Sequence, residues 1–171
     1  MYFEFALRRF DLPEDVPGAL YASPMPGMLG DFEQDIASIR QAGIDRVVCL
    51  AGPEEVRVKA PFYAAVLRKG SLGWPTTQFG IPDGDAPADR EAFLALAREV
   101  AADLRAGQRV LIHCAAGIGR TGMLAVLVLM ALGQGLEAAR RAVRRAGSGA
   151  EGGTQWALEE WAARQLGADH P

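Results

Sequence analysis

The chain has 171 residues, half of them hydrophobic, which suits one domain, 1–171, built on a single core. Its net charge of −3 provides no broad basic surface for nucleic acid or an acidic membrane, and its longest apolar run, residues 123–132, is too short to span a bilayer. Two cysteines without a disulfide pattern predict a reducing, cytoplasmic setting.

The first predicted elements are a strand and a helix. Residues 2–9 alternate between apolar and polar side chains, as in a strand. Residues 31–41 are predicted to be helical, because Asp31 and Gln34 have the spacing of a capping box and Gly43 follows as a stop signal. These elements begin an alternating α/β pattern.

The middle of the chain continues that alternation. Residues 46–50 predict a buried strand, residues 60–69 a helix, and residues 74–79 another strand. Residues 88–105 predict a helix, because their apolar residues recur on one helical face. The apolar run 109–112 then predicts a further strand.

The last third of the chain is predominantly helical. Two predicted helices follow residue 122 and are separated at residues 133–135, and a final helix covers residues 154–166. Strands that alternate with helices predict an α/β fold with a central, mostly parallel sheet and helices on both faces. Ligands bind such folds at the carboxyl ends of the strands, where we expect the functional site.

The segment His-Cys-Ala-Ala-Gly-Ile-Gly-Arg-Thr-Gly, residues 113–122, joins a predicted strand to a predicted helix. Backbone N–H groups and the helix dipole make such a loop an anion site. Cys114 is placed there as a nucleophilic thiolate. Gly117 and Gly119 let the backbone turn its N–H groups inward, and Arg120 can bind two phosphoryl oxygens. The Thr121 hydroxyl can assist the sulfur as a leaving group.

A second candidate motif is the Pro/Gly-rich segment 79–87, which contains Asp83 and Asp85. Hydrolysis of a phosphate ester needs a general acid to protonate the leaving oxygen, and a loop can bring that acid over the substrate. Either aspartate can supply the proton, although Pro-Asp-Gly is also an ordinary turn sequence. His113 is predicted to orient the other loop by bonding its backbone.

The pattern His-Cys-x5-Arg-Thr resembles the signature of the cysteine-based protein tyrosine phosphatase superfamily, and its surroundings are closest to small dual-specificity-like bacterial members. A Cys-headed loop also fits a rhodanese, whose chemistry does not require this His and Arg. The resemblance implies the phosphatase fold, Cys114 as nucleophile, Asp83 as general acid with Asp85 as the alternative, and neither metal nor cofactor. It also implies a phosphate-binding loop formed by Ala115, Ala116, Gly117, Ile118, Gly119 and Arg120.

Three weaker features accompany this resemblance. Gln155 matches a glutamine that helps to place the hydrolytic water in related phosphatases, although the segment also suits a helix start. Cys49 occupies the position of a second cysteine that forms a reversible disulfide with the nucleophile in some members, and a plain buried cysteine is the simpler interpretation. Residues 23–27 resemble a segment of small bacterial members or form an ordinary loop.

The expected activity is metal-independent hydrolysis of phosphotyrosine, either alone or together with phosphoserine and phosphothreonine, in a phosphorylated protein or peptide. Phosphoinositide phosphatases carry lysines where this chain has Ala115 and Ile118, which makes an inositol headgroup the less favoured substrate. The alternatives are a phosphatase for phosphoinositides or other small phosphate esters, and a non-catalytic phosphate-binding module. Arginines at positions 140, 141, 144 and 145 suggest a solvated helix face or a docking site for an acidic partner.

Overall fold

A computed structural model describes residues 4–168, which form a five-stranded sheet in the order β1-β2-β5-β3-β4. The strands are β1 (Arg8–Phe10), β2 (Ala19–Ser23), β3 (Arg46–Cys49), β4 (Thr76–Gln78) and β5 (Arg109–His113). Only β1 is antiparallel to its neighbour; the other pairings are parallel. The predicted mostly parallel sheet is therefore confirmed.

Seven helices connect or follow these strands in the described part of the chain. They are α1 (Phe32–Gln41), α2 (Pro53–Lys59), α3 (Pro61–Lys69), α4 (Arg90–Arg105), α5 (Gly119–Ala131), α6 (Leu136–Arg145) and α7 (Gly153–Leu166). Among residues 4–168, no helix is long and apolar enough to cross a membrane.

The sheet separates two hydrophobic cores, because alternate residues of a strand face opposite sides. Leu20 and Val48 pack with α4, α5, α6 and α7, whereas Tyr21 and Val47 pack with α1, α2 and α3. Helix α5 is the most deeply buried helix, since every residue from Gly119 to Met130 is buried. This central helix begins where β5 and its loop end, so the loop rests on the most constrained part of the fold.

Several predicted boundaries differ from the observed ones. The predicted first strand, 2–9, is observed as Arg8–Phe10; residues 4–7 have no regular structure and residues 1–3 lie outside the described residues. The predicted strand 74–79 shortens to β4. Two predicted helices begin later, because Ala60 and Asp89 are their N-caps. The Asp31 cap is confirmed, since its side chain accepts a hydrogen bond from the Gln34 N–H.

Candidate active site

The loop between β5 and α5 presents a row of unpaired backbone donors. The N–H groups of residues 115–120 have no protein acceptor within the described part of the chain. They surround a cavity of about 170 Å³ whose lining includes Cys114, Arg120, Asp83, Glu151 and Gln155. Unpaired N–H groups at a helix start favour an anion. The structure therefore brings the predicted loop residues together with one of the two candidate acids.

Two glycines give this loop its shape. Gly117 has a φ of +76°, which other residues rarely adopt, and a side chain there would collide with the carbonyl oxygen of Ser23. A Cβ at Gly119 would lie 2.5 Å from the Glu151 carboxylate. The predicted role of glycine in turning the loop thus has a steric counterpart at both positions.

Cys114 lies at the base of the cavity and is 3 % exposed. The hydroxyl of Thr121, which is fully buried, donates a hydrogen bond to its sulfur over 3.2 Å. A hydroxyl donor stabilises a thiolate more than a thiol, because the interaction is with a charged acceptor. The geometry suits the role predicted for Thr121 in supporting sulfur as a leaving group.

His113 connects the loop to helix α3. Its Nδ1 lies 3.0 Å from the Cys114 carbonyl oxygen, which can only accept, so Nδ1 carries the proton. Its Nε2 therefore accepts from the hydroxyl of Tyr63 over 2.7 Å. Burial lowers the pKa of His113 to about 4 and raises that of Tyr63. At neutral pH a neutral His113 thus holds the Cys114 backbone, as the sequence predicted, while its partner Tyr63 was not foreseen.

Arg120 is held by two carboxylates and one carbonyl. Its Nη1 and Nη2 donate to the two oxygens of Glu55 at 2.7 and 2.9 Å, and Nη1 also donates to the carbonyl oxygen of Ile81. Nη2 reaches Asp83 Oδ1 at 3.2 Å. The hydrogen bond from Arg120 lowers the pKa of Glu55 to about 2. The guanidinium is 1 % exposed, so its orientation toward the cavity is set by these partners.

Sequence reasoning missed Glu55. Its carboxylate lies in α2, which directly follows the carboxyl end of β3, the strand beside β5. An acidic residue at that edge of the sheet was the available signal, because the carboxyl ends of neighbouring parallel strands meet there. This signal was missed because the segment that contains Glu55 is short and rich in charged residues, so that its apolar residues show little helical periodicity.

The two candidate acids have different surroundings. Asp83 lines the cavity and bonds Arg120, and its side chain is 71 % exposed. Asp85 points its carboxylate at the Ala86 N–H, 2.8 Å away. The backbone carbonyl of Asp85 accepts a hydrogen bond from Gln155 Nε2 over 3.0 Å. Of the two aspartates, Asp83 is therefore the one that lines the cavity.

Gln155 is fully buried and joins three parts of the site. Besides bonding Asp85, its Oε1 accepts the Glu151 N–H over 2.8 Å. Both polar ends of its amide are thus hydrogen-bonded within the protein. The side chain thereby fixes the position of segment 79–87, which contains Asp83 and Asp85, against the start of α7. The predicted helix start is confirmed too, since α7 begins at Gly153.

Cys49 lies on β3, directly opposite His113 in the parallel register. Its thiol is fully buried and donates to the Ala51 carbonyl oxygen, and burial raises its pKa to about 12. Both Cys49 and Cys114 are free thiols. The surroundings of Cys49 match the simpler interpretation, while its pairing with Cys114 under oxidation stays a prediction.

Residues 23–27 bring the end of β2 against the loop. Ser23 closes β2, and the Met25 N–H donates to the carbonyl oxygen of Ala115 over 2.8 Å. This segment is therefore hydrogen-bonded to the loop between β5 and α5.

The arginine-rich helix α6 is not a uniform solvated face. Arg140 is 16 % exposed and pairs with Glu137 and with the buried Glu159. Arg145 lies 3.6 Å from Asp11. The expectation of a solvated stripe was wrong for Arg140, because a buried carboxylate on α7 draws this side chain inward.

A family model described as "Polymorphic toxin system, DSP-PTPase phosphatase" matches residues 23–134. A solved kinase associated phosphatase, whose catalytic-site cysteine is replaced by serine, is similar at a TM-score of 0.81 and 20 % identity, covering 99 % of this chain and 100 % of that chain. Tk-PTP in its active form is similar at a TM-score of 0.70 and 26 % identity, covering 89 % and 98 %. No curated protein matches the chain.

A further solved structure in this group is the human tyrosine phosphatase-like serine/threonine/tyrosine-interacting protein, with a TM-score of 0.68 and 20 % identity. It covers 94 % of this chain, which in turn spans 97 % of it. The likeness to the two structures at 20 % identity concerns the fold, and it extends over nearly the whole chain.

Proposed function

The chain belongs to the DSP-PTPase phosphatase family of polymorphic toxin systems, and on this premise we propose that it hydrolyses phosphotyrosine, phosphoserine and phosphothreonine in proteins. Membership confirms the resemblance carried by residues 113–122 and makes the chain a protein tyrosine or dual-specificity phosphatase.

One observation carries the proposal: a single cavity contains a nucleophile, an anion-binding loop, a guanidinium and an acid. Cys114, Arg120 and Asp83 line this cavity together with loop residues whose N–H groups are unpaired in the described part of the chain. These are the parts that phosphoryl transfer through a covalent intermediate requires.

In the first step the Cys114 thiolate attacks phosphorus and the bond to the leaving oxygen breaks. The loop N–H groups and Arg120 hold the equatorial oxygens. The phosphate dianion displaces the Asp83 carboxylate from Arg120. Asp83 receives a proton from solvent and gives it to the leaving oxygen. The products are the free hydroxyl and cysteinyl-phosphate.

In the second step water attacks phosphorus and the phosphorus–sulfur bond breaks. Asp83, now a carboxylate, takes the proton from the water. The sulfur leaves as a thiolate, which the Thr121 hydroxyl stabilises through its 3.2 Å hydrogen bond. Inorganic phosphate departs, Asp83 returns its proton to solvent and pairs with Arg120 again, and the starting state is restored.

Replacement of the nucleophile tests this mechanism. We expect Cys114→Ser to abolish hydrolysis of a phosphotyrosine and a phosphothreonine peptide, because serine has no comparable anion at neutral pH. Phosphate release in the presence of a chelator is the measurement, and Cys49→Ser is the matched control that retains activity. Turnover by Cys114→Ser equal to wild type would exclude the cysteinyl-phosphate route.

A phosphoinositide is the competing substrate class, and the charges of the cavity argue against it. Asp83 and Glu151 both line the opening, and they would repel the additional phosphates of an inositol headgroup. We expect phosphopeptides to be cleaved with a higher kcat/KM than a phosphoinositide assayed beside them. The reverse order would assign the chain to small phosphate esters, and binding without turnover of any substrate would assign it to phosphate recognition alone.

A further inference from the structure

We propose that Arg8 is a positioning residue for the loop between β5 and α5, which we call the anion loop. Arg8 sets the orientation of this loop through the carbonyl of Gly117 and supplies the loop with a second positive charge, in addition to that of Arg120. The inference rests on the proposed function of the loop as a phosphate site. Neither Arg8 nor its partner Ser148 lies within residues 23–134, the part that matches the family model.

The contacts of Arg8 join three distant parts of the chain. Its Nη2 donates to the Gly117 carbonyl oxygen over 2.5 Å, and its Nη1 donates to Ala146 O over 2.7 Å and Ser148 Oγ over 3.2 Å. The Ser148 hydroxyl in turn donates to the same Gly117 oxygen over 2.7 Å. A fork and a hydroxyl thus hold one loop carbonyl, and we call this set of three residues the Gly117 clamp.

Holding that carbonyl fixes the donor on the other side of the peptide. In a trans peptide the C=O and the following N–H point in opposite directions within one plane. The Gly117 carbonyl faces Arg8 and Ser148, so the N–H of Ile118 faces away from them, and Ile118 lines the cavity. The clamp therefore directs an unpaired N–H toward the anion position.

The steric fit agrees with this arrangement. Gly117 adopts a φ of +76°, and a side chain at this position would lie 2.9 Å from Arg8 Nη2. Only a glycine leaves room for the guanidinium to reach the carbonyl. The loop conformation and the Arg8 contact therefore depend on each other.

The charge of Arg8 is not neutralised locally. No carboxylate forms an ion pair with it among residues 4–168, whereas Arg120 has two. Burial lowers the pKa of Arg8, and the charge of Cys114 raises it. A half-buried cation without an acidic partner favours the binding of an anion nearby. For Arg8 the nearby anion site is the loop between β5 and α5.

Binding of tungstate, an oxyanion that resembles phosphate, tests the clamp without relying on turnover. We expect Arg8→Met to raise the tungstate Kd about tenfold to a hundredfold, as loss of a hydrogen-bonded charge does. Arg9→Met is the matched control, because Arg9 is exposed on the same strand, and it should bind tungstate as wild type does. Titration calorimetry far below the thermal midpoint separates affinity from folding.

Two further variants separate orientation from charge. Arg8→Lys keeps the charge and loses the fork, so it should recover tungstate affinity in part while kcat for a phosphopeptide stays low. Ser148→Ala removes one of the two donors to Gly117 and should weaken tungstate binding even if Arg8→Met fails to fold. In a double-mutant cycle the two effects should be less than additive.

The outcomes distinguish this inference from the proposed function. Wild-type tungstate affinity in both Arg8→Met and Ser148→Ala would overturn the clamp, whatever the protein hydrolyses. A wild-type protein that binds tungstate but cleaves no phosphate ester would overturn the proposed function, and the clamp would still be judged by the affinities. A wild-type protein that binds no tungstate would overturn both.

Discussion

Asp83 and Asp85 are two residues apart and differ in what their carboxylates contact. Asp83 lines the cavity and accepts a hydrogen bond from Arg120, whereas the Asp85 carboxylate is bonded to the backbone of its own turn. The sequence alone left both as general acids, because spacing cannot tell which side chain a turn directs inward. The structure supports Asp83, and the assignment can be tested with matched variants.

We expect Asp83→Asn to lower kcat for a phosphotyrosine peptide about a hundredfold or more, since an amide cannot donate the proton. Asp85→Asn should retain most of the activity, because its carboxylate does not line the cavity. Rates with aryl phosphates of increasingly acidic leaving groups provide the check. A good leaving group needs little protonation, so the difference in kcat between Asp83→Asn and wild type should become smaller with such substrates. A larger loss in Asp85→Asn than in Asp83→Asn would reverse the assignment.

The residues that sequence reasoning did not find share one property, which is a partner far away in the chain. Arg120 and Glu55 are 65 positions apart, and Arg8 and Gly117 are 109 apart. A sequence motif describes only one short segment, whereas these pairs form only because the order of the strands in the sheet brings distant segments together. Cys114, Arg120 and Thr121 could be proposed from the sequence because one short segment, residues 114–121, contains all three.

At the scale of elements, the contact between α5 and the segment before α7 determines the cavity wall. A Cβ at Gly122 would collide with the backbone nitrogen of Gly149 and lie 2.7 Å from its Cα. The Gly149 N–H also donates to the Ile118 carbonyl oxygen over 3.1 Å. The helix and the segment can therefore approach closely only because two glycines face each other.

We expect Gly122→Ala to lower the free energy of unfolding by about 1–3 kcal/mol and to reduce kcat, because the new methyl group must push the segment away from the loop. Gly153→Ala is the control, since a Cβ there meets nothing within 4 Å and alanine favours the helix. Denaturant unfolding of both variants measures the difference. Equal stability of the two variants would contradict the role of this contact.

The long, strongly patterned helices could be predicted, whereas two short elements could not. Helices α1 and α4 have clear apolar faces and aspartate caps, and both were predicted to within two residues at each end. Strand β2 and helix α2 were missed. The five buried residues of β2 lack alternation, and only Val56 is buried in α2, so neither element has a detectable periodicity.

At the scale of the whole molecule, stability depends on pH through two buried contacts. His113 has a folded pKa of about 4, lowered by burial from 6.5, so the unfolded chain binds the extra proton between these values. Glu55 has a folded pKa of about 2, lowered chiefly by Arg120 from 4.5. In both windows the unfolded chain binds more protons, and stability therefore falls as the pH falls.

We expect the double variant His113→Asn, Tyr63→Phe to lose the pH dependence of stability between the folded and unfolded pKa values of His113, which are about 4 and 6.5. Asparagine keeps a donor near the Cys114 carbonyl oxygen, and phenylalanine removes the hydroxyl that would lack its acceptor. Between pH 6.5 and 4.5 the slope of unfolding free energy should decrease by about 1 kcal/mol per pH unit relative to wild type. Urea unfolding across this range is the measurement, and unchanged slopes would show that His113 titrates normally.

The sheet order also governs when the protein can become active during synthesis. Strand β5 lies between β2 and β3, so a nascent chain that ends before residue 109 contains two separate strand pairs, β1–β2 and β3–β4. Each pair then exposes an unpaired edge that can recruit another chain. The ribosome must deliver β5 before these halves can join, and the same strand leads into the loop of Cys114. Insertion of β5 therefore both closes the sheet and brings in the nucleophile, and the pocket is completed only when Glu151 and Gln155 follow.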